Sequence, residues 1–502
     1  MSETQIRRLK ISFVFFVIAF AMVIAKAFKV QVIDSETLIA KSKGQFFRET
    51  KVYPKRGNIV DRNGNPLALN IQTYSLFTIP KNLKGDYSAY KQLEKIVPEL
   101  NYQKVLNRIK KRRKFTWLAR KIQLEKEQVE AIKELKGIYI ESVPKRFYPN
   151  HELLAQTIGF VGVDNVGLSG LEYLFDKELK GKPRILKYII DNKGRPVKFE
   201  SKSEGGDAQD IVLTIDKDTQ FIAEKYLKEA VIEHEADKGG IGVMDAETGE
   251  ILAVANYPTF DPNELKNSPT DVRKLSFVSD PIEPGSTFKI VTAISALENK
   301  IATPDTNYYC EQGRLKVEDH IISEAESKKK YEWLSLKEII KYSSNVGTTK
   351  IAFDLTYPRL KETLEKFNIG QKTGIEIPGE SRGIFTSEEN VSPLTLSNIS
   401  FGQGVATTGV QMLSIYGAIA NGGNYIAPTI IKGKPVEERS KRVMSEEMSK
   451  ELTNILVEAV DSGTGGNAII PYFRIAGKTS TAQRPDKRGG YTGYVSGFIG
   501  YP

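Results

Sequence analysis

The sequence predicts an α+β protein: an N-terminal membrane helix, a mixed α/β domain, and a larger domain whose central antiparallel sheet is flanked by helices. Three observations carry this. An apolar run from Ile11 to Ala25 stands directly behind Arg7, Arg8 and Lys10. The 502 residues exceed what one core of the usual size, roughly 100–200 residues, accommodates. Beyond the apolar run, hairpin patterns mix with helices without strict βαβ alternation, which favours helices packed on an antiparallel sheet over a doubly wound parallel one.

The N-terminal element comes first. A spanning helix needs about 20 apolar residues, more than the uncharged stretch alone supplies. Lys26 and Lys29 can snorkel, and Val30 to Ile33 extend the span, so residues 11–33 are expected to be an anchor behind a cytoplasmic tail of residues 1–10. Ala25-Lys26-Ala27 resembles a signal-peptide cleavage site, but a lysine inside it and large neighbours argue for an uncleaved helix. Basic residues before the helix place the N-terminus in the cytoplasm and the remaining chain outside, on the periplasmic face of the cytoplasmic membrane.

Composition narrows the chemistry. The net charge of +10 suits anionic surroundings without choosing among them. Cys310 is the only cysteine, so no intrachain disulfide forms, and with three histidines a Cys/His metal site is not expected. The run Lys110-Lys111-Arg112-Arg113-Lys114, inside a predicted helix, reads as a solvated face; no aromatic ladder accompanies it, so no nucleic-acid partner is expected.

Further along, Gly57 to Leu69 reads as a hairpin turning at Asn63-Gly64. The polar, glycine-rich Ser203 to Asp207 marks a boundary, dividing a domain at residues 34–206 from one at 207–502. Ile211 to Ile215 reads as a strand, Asp216 as the cap of a helix running to about His234, and Ile241–Met244 with Ile251–Ala255 as a second hairpin.

Three short segments then carry chemistry. In Ser286-Thr287-Phe288-Lys289 a serine at a helix start shares a face with a lysine three residues on, after the break at Glu283-Pro284-Gly285. A serine hydroxyl needs a base, and Lys289 serves as one only if burial and a second cation depress its pKa. Lys478, in the strand-like Lys478-Thr479-Ser480-Thr481, can be that cation, and such a strand can pair with an extended peptide. Between them lies Ser343-Ser344-Asn345, after a predicted helix Leu336–Tyr342. There Ser343 can shuttle protons and Asn345 can bind a substrate amide. Each segment alone is weak; the three in this order are specific.

This trio resembles the signature of the penicillin-binding proteins and class A β-lactamases. Over nearly its whole length the chain looks like a class B penicillin-binding protein. Asp245–Asn256, Tyr257-Pro258 and Asp261-Pro262-Asn263 resemble the start of that family's catalytic domain, and Phe401-Gly402-Gln403-Gly404 with Asn421-Gly422-Gly423 the stretch before its last motif. Arg56-Gly57 with Asp61-Arg62 and Gly64, then Arg146 with Tyr148-Pro149, then Gly167, Gly170, Glu172 and Asp176 resemble blocks of its non-catalytic pedestal. Their opposite charges suggest structural ion pairs at the domain junction. Ser343 to Gly347 and the Arg146 and Gly167 blocks look more like the division-specific branch than the elongation branch.

The resemblance implies a peptidoglycan D,D-transpeptidase without cofactor or metal, inhibited by β-lactam antibiotics. It would cross-link stem peptides of lipid-linked precursor strands through a Ser286 acyl-enzyme during septal or lateral wall synthesis. The backbone N–H groups of Ser286 and Thr481 would form the oxyanion hole, and Lys478, Thr479 and Thr481 would hold the substrate carboxylate. Partners implied are the membrane, a multi-span membrane glycosyltransferase, and division or elongation proteins. The alternatives are a catalytically weak division scaffold and a β-lactam-binding receptor. Three departures stand out. Ser480, placed with Thr479 and Thr481 among the substrate-binding residues, replaces the usual glycine and is expected to crowd the substrate strand; Asn150-His151 replaces another glycine. The family pattern also continues with a further strand and closing helix after the motif strand, so the span to Pro502 is expected to leave a sheet edge open.

Overall fold

A computed structural model of the chain describes residues 2–38, 47–80, 87–111, 115–190, 196–201, 203–326, 329–485 and 491–502. An α-helix runs from Glu3 to Phe28 and continues as a wider, π-type turn through Ile33. Ser2 and Gln5 cap it reciprocally, with Ser2 N donating to Gln5 Oε1 at 3.1 Å. Its 31 residues have a mean hydropathy of 2.5 in their most apolar stretch, and none is buried by protein. At 1.5 Å per residue this helix is about 46 Å long, more than the ~30 Å hydrocarbon core requires.

The chain divides into two compact units. The first joins Met1–Arg56 to Lys180–Gln209, and the second joins Gly57–Leu179 to Asp210–Pro502. In the first, Arg184–Ile190 is the central strand of an antiparallel three-stranded sheet, flanked by Phe47–Val52 and Pro196–Ser201.

In the second unit the Asn63-Gly64 hairpin forms as its turn chemistry predicts. Ile59-Val60 pairs with the start of the long strand Pro66–Thr78. That strand pairs antiparallel with Thr116–Ile122 and with Ile138–Phe147. Helices Ser88–Ile96, Tyr102–Lys110 and Lys126–Lys133 bury Tyr90, Leu93, Val105, Ile109 and Ile132 against Leu76 and Leu118 of the sheet. The basic run is split: Lys110 ends its helix, and Arg112 to Lys114 lie outside the described residues. The strand expected at 211–215 is shorter. Ile211-Val212 pairs in parallel with Ile59-Val60, and Leu213 then bridges to Ile431, so the chain changes partner after two residues.

Asp216 caps the helix Lys217–Glu233, accepting from Thr219 N at 2.9 Å. This helix packs on the hairpin of Gly239–Met244 and Ile251–Tyr257. Gln220 is buried between them and behaves like a strand residue, donating to Val254 O at 3.0 Å and accepting from Val254 N at 2.8 Å. A second antiparallel pair, Ala476–Pro485 with Tyr491–Tyr501, follows late in the chain; the motif strand is thus paired along its length by a further strand. The largest core surrounds the helix Lys289–Glu298 and takes in Leu336, Ile339, Ile351, Leu360, Ile415 and Leu456 from the helices around it.

The charged blocks divide by chemistry. Arg146 Nε meets Glu172 Oε1 at 2.5 Å with both side chains buried, and Arg146 Nη1 donates to Gly57 O at 2.7 Å. Arg62 pairs with Glu250 at 3.1 Å. Asp61 acts on backbone instead, accepting from Asn63 N and Asn65 N at 2.9 and 2.7 Å, and Asp176 accepts from Gly167 N at 2.8 Å. A short carboxylate in a tight turn reaches nearby amides before it reaches a distant cation, which is why the expectation of ion pairs does not extend to Asp61. Arg56 is buried.

Candidate active site

The Ser286–Lys289 motif is built on a turn gripped from both sides. Ile282 bridges to Thr407, and Gly285 N donates to Gly402 O at 2.9 Å. Glu283 Oε1 accepts from Gly404 N at 2.9 Å, and Tyr416 OH donates to Thr287 O at 2.9 Å. The Phe401–Gly404 segment, legible in the sequence only as part of the resemblance, therefore braces this turn. Gly285 has φ +55°, and a Cβ on Gly402 would lie 2.2 Å from Gly285 O, so the two turns touch backbone to backbone.

The spacing predicts that Ser286 opens the α-helix, and it does not. It lies in a tighter 3₁₀ turn, Gly285–Phe288, and the α-helix begins at Lys289. In that turn residues three apart eclipse, so the serine and the lysine still share a face. Ser286 is partly exposed, whereas Lys289 is fully buried.

Lys289 Nζ donates to Ser343 O at 2.6 Å, to Ser343 Oγ at 3.1 Å and to Asn345 Oδ1 at 2.8 Å. Among the described residues it has no hydrogen bond to Ser286 and no carboxylate at ion-pair distance. The three acceptors converge because of a reversal in the chain. The helix Leu336–Tyr342 stops at Ser343, which takes the left-handed conformation at φ 60°, and Ser344 at once caps the helix Asn345–Leu355.

Behind this motif stands Glu324, which sequence reasoning missed. Its buried carboxylate accepts from Ser344 Oγ at 2.6 Å and from Asn345 N at 2.7 Å. Asn345 Nδ2 donates to Ser323 O at 2.9 Å, which turns Oδ1 of the same amide toward Lys289. No spacing rule links Glu324 to Asn345; only the turn after the strand His320–Ser323 brings them together.

Lys478 is also buried, with Nζ donating to Thr464 Oγ1 at 3.1 Å and to Thr479 O at 3.3 Å. Thr479 Oγ1 donates to the same Thr464 hydroxyl at 3.1 Å, a second residue without a signal in the sequence. Thr481 faces solvent. Ser480 is buried, and its hydroxyl donates to Pro284 O at 2.6 Å. It therefore points at the turn that carries Ser286.

Electrostatics follow from this burial. Loss of hydration holds the Lys289 amine well below the usual lysine range, the Lys478 charge pushes it further the same way, and Glu324 partly opposes both. Burial, then the Lys329 charge, brings Lys478 down to about 8. A lowered lysine pKa on the same face as a serine, with a second cation close by, favours the neutral amine that activation of a hydroxyl nucleophile requires.

His151, standing in the second place expected to carry glycine, adopts φ +53°. Its Nδ1 meets Asp261 Oδ2 at 2.7 Å, and this hydrogen bond raises the imidazole pKa.

Comparison with known proteins agrees with the resemblance. The penicillin binding protein transpeptidase domain family matches residues 239–502, and the penicillin-binding protein dimerisation domain family matches residues 51–213. Stage V sporulation protein D of Bacillus subtilis is 33% identical over 99% of this chain and 79% of its own length. The peptidoglycan D,D-transpeptidase FtsI of Escherichia coli K12 is 30% identical over 96% of this chain and 82% of its own. Crystal structures of penicillin binding protein 3 from Mycobacterium tuberculosis, solved with aztreonam and with ampicillin, superpose with a TM-score of 0.67 at 27% identity. They cover 90% of this chain and 87% and 86% of theirs. A matched transpeptidase domain over more than half of the chain, with relatives aligned along nearly all of it, places this chain among the class B penicillin-binding proteins, the family of serine-type peptidoglycan D,D-transpeptidases.

Proposed function

We propose that this protein cross-links peptidoglycan stem peptides through an acyl-enzyme on Ser286. Ser286 Oγ attacks the carbonyl carbon of a D-alanyl-D-alanine bond as Lys289 Nζ takes its proton. The C–N bond to the terminal D-alanine breaks, and its amine receives a proton through Ser343. The N–H groups of Ser286 and Thr481 stabilise the oxyanion, Lys478, Thr479 and Thr481 hold the terminal carboxylate, and Asn345 orients a substrate amide. An amine from a neighbouring stem peptide then attacks the ester and frees Ser286. β-Lactams acylate the same hydroxyl.

One observation carries this reading: Lys289 is buried against neutral oxygens, with its pKa depressed by the burial and by Lys478. The test is incubation with a labelled β-lactam and mapping of the adduct by mass spectrometry. The label is expected on the peptide containing Ser286 and absent from Ser286→Ala. An adduct that maps elsewhere overturns the assignment.

Residues 34–206 serve as the pedestal and 207–502 as the transpeptidase domain. The N-terminus lies in the cytoplasm, on the strength of Arg7, Arg8 and Lys10, with the catalytic domain outside. The Ser343–Gly347, Arg146 and Gly167 blocks favour a division role. Glycan strands come from a separate multi-span membrane glycosyltransferase, because no second catalytic set is legible in the sequence of residues 34–206. Its contact includes the anchor helix, where Phe13, Phe15, Phe16 and Phe20 are exposed. Replacing residues 11–30 with an unrelated spanning helix is expected to weaken co-purification with that polymerase while acylation at Ser286 stays normal; undiminished association rules this contact out.

A further inference from the structure

Ser480 stands where the family's third motif carries glycine, and its surroundings give it a task. On the motif strand Thr481 faces solvent, while Lys478 and Ser480 face inward. The Ser480 hydroxyl donates to Pro284 O across 2.6 Å in a buried setting. The same carbonyl accepts Thr287 Oγ1 at 2.7 Å, so two donors hold it. Pro284 precedes Ser286 by two residues, and Ser480 directly precedes Thr481.

The packing around this bond is close. A Cβ built on Gly285 would lie 2.6 Å from Ser480 Oγ and 3.1 Å from Ala482 Cβ. On its other side Gly285 meets the Gly402 turn. The nucleophile turn is thus held between a backbone contact, which any chain with these glycines can make, and a side-chain bond that glycine at position 480 cannot make.

We infer that Ser480 is a positioning residue: its hydroxyl latches the nucleophile turn to the motif strand and so sets the distance between Ser286 and the backbone N–H of Thr481. It touches no substrate. A buried hydrogen bond at this place orients the reacting groups, and its removal acts on the chemical step. The inference rests on acylation at Ser286.

The test is stopped-flow acylation of the full chain in detergent by a chromogenic β-lactam. The limiting rate and the half-saturating concentration are measured separately, per site labelled at the end point. Ser480→Gly and Ser480→Ala are expected to lower the limiting rate about tenfold and to move half-saturation by less than about twofold. Ser480→Thr, which keeps the hydroxyl, is expected to react faster than both. The inference is overturned by an unchanged or raised limiting rate in Ser480→Gly, by a loss confined to half-saturation, or by a threonine variant no faster than alanine. Because labels are counted per reactive site, a variant that merely folds less well leaves the limiting rate where it was. Absence of any adduct on Ser286 in the unmodified protein would instead refute the proposed function itself.

Discussion

Two buried cations in the same compact unit are treated in opposite ways. Arg146, in the region matched to the dimerisation domain, is neutralised by Glu172 at 2.5 Å. Lys289, in the region matched to the transpeptidase domain, rests on Ser343 and Asn345, with Glu324 one layer behind and engaged elsewhere. A guanidinium cannot give up its proton, so burying one calls for a counter-charge. An amine can, so burying it among neutral oxygens and near another cation favours the neutral form that the proposed base requires. The contrast separates a charge that holds the structure from a charge meant to move.

The largest effect is expected where the mobile charge is deleted. Lys289→Ala should slow β-lactam acylation about a thousandfold, in line with loss of a general base, while circular dichroism stays unchanged. A normal rate in that variant would erase the distinction. At the other pole, Glu172→Ala strands Arg146 and should destabilise the fold by about 3–5 kcal/mol, read as a lowered denaturation midpoint. A neutral result there would mean that Arg146 is not held by this pair.

Finer changes sharpen the comparison. The limiting acylation rate should rise with pH as Lys289 loses its proton, because the neutral amine is the active form. It should fall again above about 8, where Lys478 loses its charge. Lys478→Arg should abolish the alkaline fall, since a guanidinium stays charged there. The smallest effect belongs to Glu324→Gln. The carboxylate raises the Lys289 pKa, so its neutralisation should move the acid limb to lower pH. A shift toward higher pH would contradict the arrangement seen around Asn345.

What could be read from the sequence were features with local causes. The anchor follows from an apolar run, the Lys217–Glu233 helix from its Asp216 cap, and both hairpins from turn residues and alternation. Lys289, Ser343 and Asn345 could be named together because each sits in a short motif, and the structure joins them by hydrogen bonds. Glu324 and Thr464 could not, since their partners lie across loops that no periodicity encodes. The contact of Ser480 with Pro284 could not be read for a related reason. Alternation assigns a strand two faces without saying which one carries the groove. The 3₁₀ turn at Ser286 escaped because a helix start of either kind shows the same residues.

The bond between Ser480 and Pro284 joins positions 196 residues apart in the chain. A ribosome adding about 5–20 residues each second needs on the order of ten to forty seconds to travel between them. Through that interval the serine is already made, but the strand bearing Lys478 and Thr481 does not yet exist. The emerging polypeptide therefore carries a plain alcohol rather than a nucleophile. Under the proposed function, reactivity arrives only with late synthesis and docking of that strand, so a nascent chain lacks the arrangement that acylation of Ser286 requires.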